Sequence, residues 1–171
     1  KNKIPFLGIC FGMQMAVIEF ARNKLNILKA TSSEFGPSKN SVIGLMSEWI
    51  KEGKVMKGTD KNLGGTMRLG SYEARLKDNS LIKSIYKVSS INERHRHRYE
   101  VNINYKDKFE KKGMIFSGLS PNKNLPEIIE LNNHPWFIGV QFHPEFKSRP
   151  LLPHPLFSSF IKAVKNNSEK K

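Results

Sequence analysis

Cysteine occurs once in this chain of 171 residues, at Cys10. An internal disulfide framework is therefore ruled out, and one thiol is left for chemistry or for the core. Long hydrophobic runs are missing too. No apolar stretch approaches the length a bilayer span needs, and no secretory segment opens the chain, so a soluble globular protein without membrane partners is expected. There is no Gly-x-x-x-x-Gly-Lys-[Ser/Thr] stretch, hence no phosphate loop of its own. Paired cysteines are lacking, and His95 and His97 have no third ligand at a convincing spacing, so no metal site is expected. Acidic residues are scarce: 15 Asp and Glu face 29 Lys and Arg, a net charge of +14. Such a surface attracts nucleic acid, anionic lipid or phosphorylated ligands. The lysines are scattered, however, which favours a solvated basic surface over a dedicated polyanion site. The first residue is Lys1, and a piece of a longer chain is expected.

What is present is a mixed pattern of strands and helices. Ile4 to Ile9 reads as a short buried strand. Met13 to Arg22 sets Met13, Val17, Phe20 and Ala21 on one side of a helix. Thr31 to Asn40 reads as a polar loop, Ser41 to Trp49 begins as a strand, and Lys51 to Gly65 reads as an exposed loop of unassigned role. Thr66 to Leu76 alternates as a strand does. Asn79 to Tyr86 is a short helix with Asn79 or Ser80 as cap, and Asn104 to Lys112 is a second, closed by Gly113. Met114 to Leu119 reads as a strand. Glu127 to Leu131 and Trp136 to Phe142 flank Asn132-Asn-His-Pro135, a hairpin signal. His154 to Val164 is a last amphipathic helix, and Lys165 to Lys171 a charged, frayed tail. The expected fold is a three-layer α/β domain with a central, mostly parallel sheet. Residues 1–166 would form the domain and 167–171 the tail.

Two stretches carry chemistry. In Gly8-Ile-Cys-Phe-Gly12 a strand feeds a sharp turn into a helix, with the thiol at the apex. Glycines at 8 and 12 suit an elbow in which bulkier side chains would collide. A helix N-terminus lowers a thiol pKa, and the Phe11 N–H would point at a developing oxyanion. The plainer reading makes Cys10 a small apolar residue ending a buried strand. In Gln141-Phe-His-Pro-Glu145 a strand pattern delivers His143 and Glu145, which two-residue spacing puts on one face. The plainer reading there is a strand-end histidine with an exposed acid. His134 and His154 precede proline and look like turn residues.

These two stretches resemble the class I (triad) glutamine amidotransferases. Gly64-Gly-Thr-Met-Arg-Leu-Gly70, Glu93-Arg-His-Arg-His-Arg-Tyr-Glu-Val-Asn102 and Lys147-Ser-Arg-Pro150 followed by His154-Pro-Leu-Phe157 narrow the resemblance to the CTP synthase family, over Ile4 to Val164. The resemblance implies that Cys10 attacks the side-chain amide of glutamine, that His143 moves the proton, and that Glu145 orients His143. It implies glutamine binding by Phe11, Gly12, Met13, Gln14, Glu34 and Arg98, with Glu34 for the α-ammonium and Arg98 for the α-carboxylate. Arg68 would belong to a loop tied to GTP control. The complete enzymes of that family are cytoplasmic homotetramers. A separate synthetase domain uses ATP, Mg2+ and the released ammonia to convert UTP to CTP. The Arg94 to Arg98 run then reads as part substrate site and part structure, not as a nucleic-acid patch.

The chain departs from the family in two ways. Phe11 stands where leucine is usual. The earlier glycine-rich segment, which supplies a second oxyanion donor, and the first strands of the sheet are absent, so little glutaminase activity is expected of this segment alone. Two other readings remain open at this point: a GMP-synthase-like glutaminase, and a basic nucleic-acid-binding module suggested by the charge.

Overall fold

The computed structural model describes residues 2–45 and 67–169. Strand β1 (Phe6–Ile9) runs straight into helix α1 (Phe11–Lys24). Strands β2 (Thr31–Ser32) and β3 (Ser41–Leu45) follow. After the undescribed stretch come β4 (Arg68–Leu76), α2 (Leu81–Tyr86), β5 (Ser90–His97), β6 (Tyr99–Val101), α3 (Lys106–Glu110), β7 (Met114–Leu119), β8 (Pro126–Leu131), β9 (Phe137–Val140) and α4 (Pro155–Ser168). The expected Lys51–Gly65 loop, the end of the Ser41–Trp49 strand and the glycines at 64 and 65 lie outside the described residues.

Six strands form one sheet in the order β1-β9-β8-β7-β4-β5. Three more, β2-β3-β6, form a small second sheet. The α/β class holds, but the main sheet is mixed rather than mostly parallel. Only β1 and β9 pair in parallel, in a register joining Ile9 to Val140, while the other four pairings are antiparallel. The reason is connectivity. Parallel neighbours need a long crossover, whereas short turns such as Asn132–Pro135 return the chain antiparallel.

Helices cover both faces of this sheet. On one side Met13, Val17 and Ala21 of α1 pack with Ile43, Val101, Phe109, Phe116 and Ile129. On the other, Ile128, Ile138, Val140 and Phe142 pack with Ile82 of α2 and Leu156 of α4. Ile128 and Ile129 are neighbours on β8 and point to opposite cores, as a strand's two-residue period requires. β8 is accordingly buried along nearly its whole length rather than alternating.

Several local expectations change. Ser80 caps α2, its hydroxyl accepting from Lys83 N–H. The Asn104–Lys112 helix splits into a 3-10 turn at Ile103–Tyr105 and the short α3. The tail is helical through Ser168, supported at its last turn by Lys165 and Glu169 at 3.9 Å. His154 is no loose turn residue. It is buried, caps α4 by accepting from Leu156 N–H, and meets Glu93 at 3.0 Å through Nε2. Among the described residues no helix is long and apolar enough to cross a membrane.

Candidate active site

Cys10 stands between β1 and α1 with φ 49° and ψ −103°, a backbone conformation that a side chain with a Cβ rarely adopts. Two contacts fix it there. Its N–H donates to Val140 O at 2.7 Å, extending the β1–β9 ladder by one step. Gly8 lets the helix start close behind: a Cβ at that position would lie 2.9 Å from Gly12 C and Met13 N. The collision expected at Gly12 does not occur. A Cβ there would meet nothing within 4 Å, so the space over that residue is open.

The helix N-terminus does not win the electrostatic balance at this thiol. Burial pushes the Cys10 pKa above its ordinary value, and the charges of Glu100 and Glu145 add to the rise. The Phe11 N–H and the Gln141 side chain pull the other way. A resting thiol therefore needs a base to become a nucleophile.

His143 and Glu145 come together, though not as strand neighbours. β9 ends at Val140, and Pro144 opens a 3-10 turn over Pro144–Phe146 with His143 as its cap. Gln141 N–H still donates to Glu127 O at 2.8 Å, and Pro144, which has no N–H to give, sits at the first position of the turn. The turn folds Glu145 back, so that Oε1 lies 2.6 Å from His143 Nδ1. A carboxylate accepts only, so Nδ1 carries the hydrogen, and in the neutral imidazole Nε2 carries the lone pair. Nε2 is buried and has no hydrogen-bond partner. His143 N–H donates to Arg94 O on β5, and the Phe146 ring stacks on the imidazole at 5.1 Å. A thiol, an imidazole with a free lone pair and a carboxylate behind it can carry out acyl transfer, once sulfur and nitrogen meet over a substrate.

The other expected residues divide. Met13 is fully buried in the core, so only its backbone can face a ligand. Phe11 is half exposed and meets Phe35 edge-on at 6.2 Å, bringing the Ser33–Phe35 turn, with exposed Glu34, beside the elbow. Arg98 is half-buried between β5 and β6. Gln14 is buried, and its Nε2 donates to Tyr99 O at 3.0 Å and to Gln141 Oε1 at 3.2 Å.

Arg68 is not on a loop. It opens β4, is 5% exposed, and binds Glu127 at 2.7 Å and Glu100 at 3.3 Å. The Arg94–Arg98 run likewise proves to be mostly strand. Arg94 and Arg96 point outward while Glu93, His95 and His97 are buried. His95 and His97 share a 2.8 Å hydrogen bond and lie 3.7 and 3.5 Å from Glu127 and Glu100. Burial, helped by the Arg68 charge, pushes their pKa values down to about 2 and about 3. Burial pushes the two glutamates up, with Arg68 opposing. Among the described residues no group of three or more His, Cys, Asp or Glu could hold a metal ion.

Sequence reasoning missed Gln141 and Phe146. Gln141 is fully buried, and its Nε2 donates to Cys10 Sγ at 3.6 Å. Its place in the same short stretch as His143, two residues before it, was the available signal.

With this geometry in place, comparison with known proteins fixes the class. The family model for glutamine amidotransferase class-I matches residues 1–163, and the chain belongs to that family. Its curated relatives include the CTP synthase of Pelagibacter ubique (strain HTCC1062), 77% identical over 166 residues that make up 97% of this chain and 31% of that one. The CTP synthase of Rhizobium etli (strain CIAT 652) is 60% identical over 169 residues, 98% of this chain and again 31% of the relative. The chain thus spans about a third of the length of these relatives. Among solved structures, the Trypanosoma brucei CTPS glutaminase domain with bound acivicin superposes with a TM-score of 0.83 at 34% identity, covering 96% of this chain and 61% of that one. A Thermoplasma acidophilum protein described as part of a GMP synthase superposes at 0.54 with 18% identity, covering 96% of this chain and 59% of that one, which speaks to fold alone.

Proposed function

We propose that this chain is the glutaminase part of a CTP synthase and that Cys10, His143 and Glu145 are its triad. The observation that carries the reading is the His143–Glu145 pair at 2.6 Å, which leaves a buried, unpartnered Nε2 for the thiol proton. The close likeness to CTP synthases, against a distant one to the GMP synthase protein, favours this reading over a GMP-synthase-like one.

In this mechanism Nε2 takes the proton from Cys10 Sγ as the sulfur attacks the side-chain carbonyl carbon of glutamine. The Phe11 N–H receives the oxyanion. The C–N bond then breaks, Nε2–H protonates the departing nitrogen, and ammonia leaves a thioester on Cys10. Water, deprotonated by Nε2, cleaves the thioester to glutamate and restores the thiol. Glu145 orients the ring and stabilises its charged form. Glu34 would meet the α-ammonium and Arg98 the α-carboxylate, the latter through a bidentate pair. The open space over Gly12 gives the substrate side chain room.

In the longer protein, ammonia would pass to a synthetase domain that uses ATP, UTP and Mg2+, in a tetramer activated by GTP. No residue of this chain is assigned to ATP, UTP or Mg2+. GTP control through Arg68 would have to act through its buried ion pairs rather than by direct contact, since its guanidinium is held between two glutamates.

The test is release of glutamate and ammonia in equal amounts from glutamine. Loss of both in Cys10→Ala and in His143→Ala supports the reading. Undiminished release from Cys10→Ala refutes it.

A further inference from the structure

Tyr99 O, Gln14, Gln141 and Cys10 Sγ form one continuous chain of hydrogen bonds. Gln14 Nε2 donates to Tyr99 O at 3.0 Å and to Gln141 Oε1 at 3.2 Å, and Gln141 Nε2 donates to Cys10 Sγ at 3.6 Å. Both glutamines are buried, at 3% and 0% exposure, so water does not compete for these groups. The direction of the chain is forced. A backbone carbonyl can only accept, so the Gln14 amide must turn its NH2 end toward Tyr99. That NH2 end also meets Gln141, which must answer with its oxygen. The NH2 end of Gln141 is then left for the sulfur. Were Gln141 reversed, two NH2 groups would face each other and its oxygen would face the sulfur, favouring the protonated thiol.

We infer that Gln141 is a thiolate-stabilising donor for Cys10 and that Gln14 is the positioning residue that sets its polarity. This rests on Cys10 being the nucleophile proposed above, and it adds a group on the reacting sulfur beyond the triad. A fixed N–H donor favours the charged form of an acceptor over the neutral one. At this sulfur it opposes burial and the charges of Glu100 on β6 and Glu145 in the turn after β9, and it acts alongside the Phe11 N–H of α1. His143, whose Nε2 is unpartnered, is the other titratable group of the site. Gln14 thereby has a role distinct from substrate contact, since its NH2 group is committed inside the protein.

The experiment is the pH dependence of Cys10 alkylation by iodoacetamide, read by intact mass. Cys10 is the only cysteine, so each adduct reports one site. Gln141→Met keeps the length of the side chain and removes the donor. Its midpoint should rise by about one to two pH units, the equivalent of one hydrogen bond to a charged group. Gln14→Leu leaves Gln141 in place and frees its orientation, so its midpoint should rise too, and this variant decides the matter if Gln141→Met fails to fold. Unchanged midpoints in the folded variants overturn the inference. Labelling of the wild-type chain by a glutamine-like diazoketone separates this result from the functional reading. Glutamine-protected labelling with unshifted midpoints sinks only the relay. Shifted midpoints with no such labelling sink the glutaminase reading and leave the relay standing.

Discussion

Arg68 Nη1 lies 2.7 Å from Glu127 Oε1, with both side chains almost sealed from solvent. Glu100 lies on the same nitrogen at 3.3 Å, so one guanidinium holds two carboxylates in the interior. The pairing joins β4, β6 and β8. Glu127 also offers its carbonyl to Gln141 N–H at 2.8 Å.

Removing this arginine leaves two buried carboxylates with no cation between them. Arg68→Met should lower stability by about 3–5 kcal/mol, the usual cost of breaking a buried pair from one side. For a domain of this size that is a fall in Tm of roughly 6–20 °C. Arg75→Met removes a pair whose partners are 61% and 42% exposed and should leave Tm nearly unchanged. Thermal unfolding followed by circular dichroism compares the two.

The acid limb of the stability curve should depend on His95 and His97. Their folded pKa values lie near 2 and 3, below the ordinary 6.5, so the folded state keeps them neutral where the unfolded chain is protonated. The stability they contribute is present above about pH 6.5. It is lost as pH falls, at about 1.4 kcal/mol per pH unit for each histidine. Denaturant titrations between pH 7 and pH 5 should show a steeper loss in the wild type than in His95→Gln.

Gly8 and Gly12 should behave differently despite their shared motif. Gly8→Ala forces a Cβ onto the backbone of Gly12 and Met13 at 2.9 Å and should destabilise the elbow by about 1–3 kcal/mol. Gly12→Ala sits in α1 with nothing within 4 Å and should fold at least as stably as the wild type, alanine being the better helix former. It should nevertheless weaken glutamine use, because its methyl group enters the space assigned to substrate. Tm and the KM for glutamine, measured together, check both halves.

Glu145→Gln should lower glutamine hydrolysis by a factor on the order of 10²–10⁴ with little change in KM, since an amide no longer holds the imidazole in the required tautomer. Steady-state kinetics at saturating glutamine give the answer. A change confined to KM would place Glu145 in binding instead.

The local pattern around Cys10, His143 and Glu145 was legible because short-range geometry governs it: a glycine-permitted turn, a strand running out and a proline that opens the next turn. Even there, the route differed. A 3-10 turn, not strand alternation, brings Glu145 to His143. Ser80, the α2 cap and the Asn132–Pro135 hairpin were likewise local. What sequence did not reveal was long-range. Arg68 finds its partners 32 and 59 residues away, and only the folded sheet shows that a loop-like motif is a buried ion pair. The alternation of Arg94 to His97 hid a split between solvent and core, since charge alone does not say which face is inside. Parallel and antiparallel strands share the same apolar signature, so the mixed sheet could not be read from periodicity.

Everything proposed for the site depends on Cys10 being a nucleophile in a formed glutamine pocket. Covalent labelling by a glutamine-mimicking diazoketone, read by intact mass with and without excess glutamine, decides whether it is. One adduct is expected, located on Cys10, suppressed by glutamine and absent from Cys10→Ala. A folded chain that gains no adduct, or one that glutamine does not protect, would contradict the assignment.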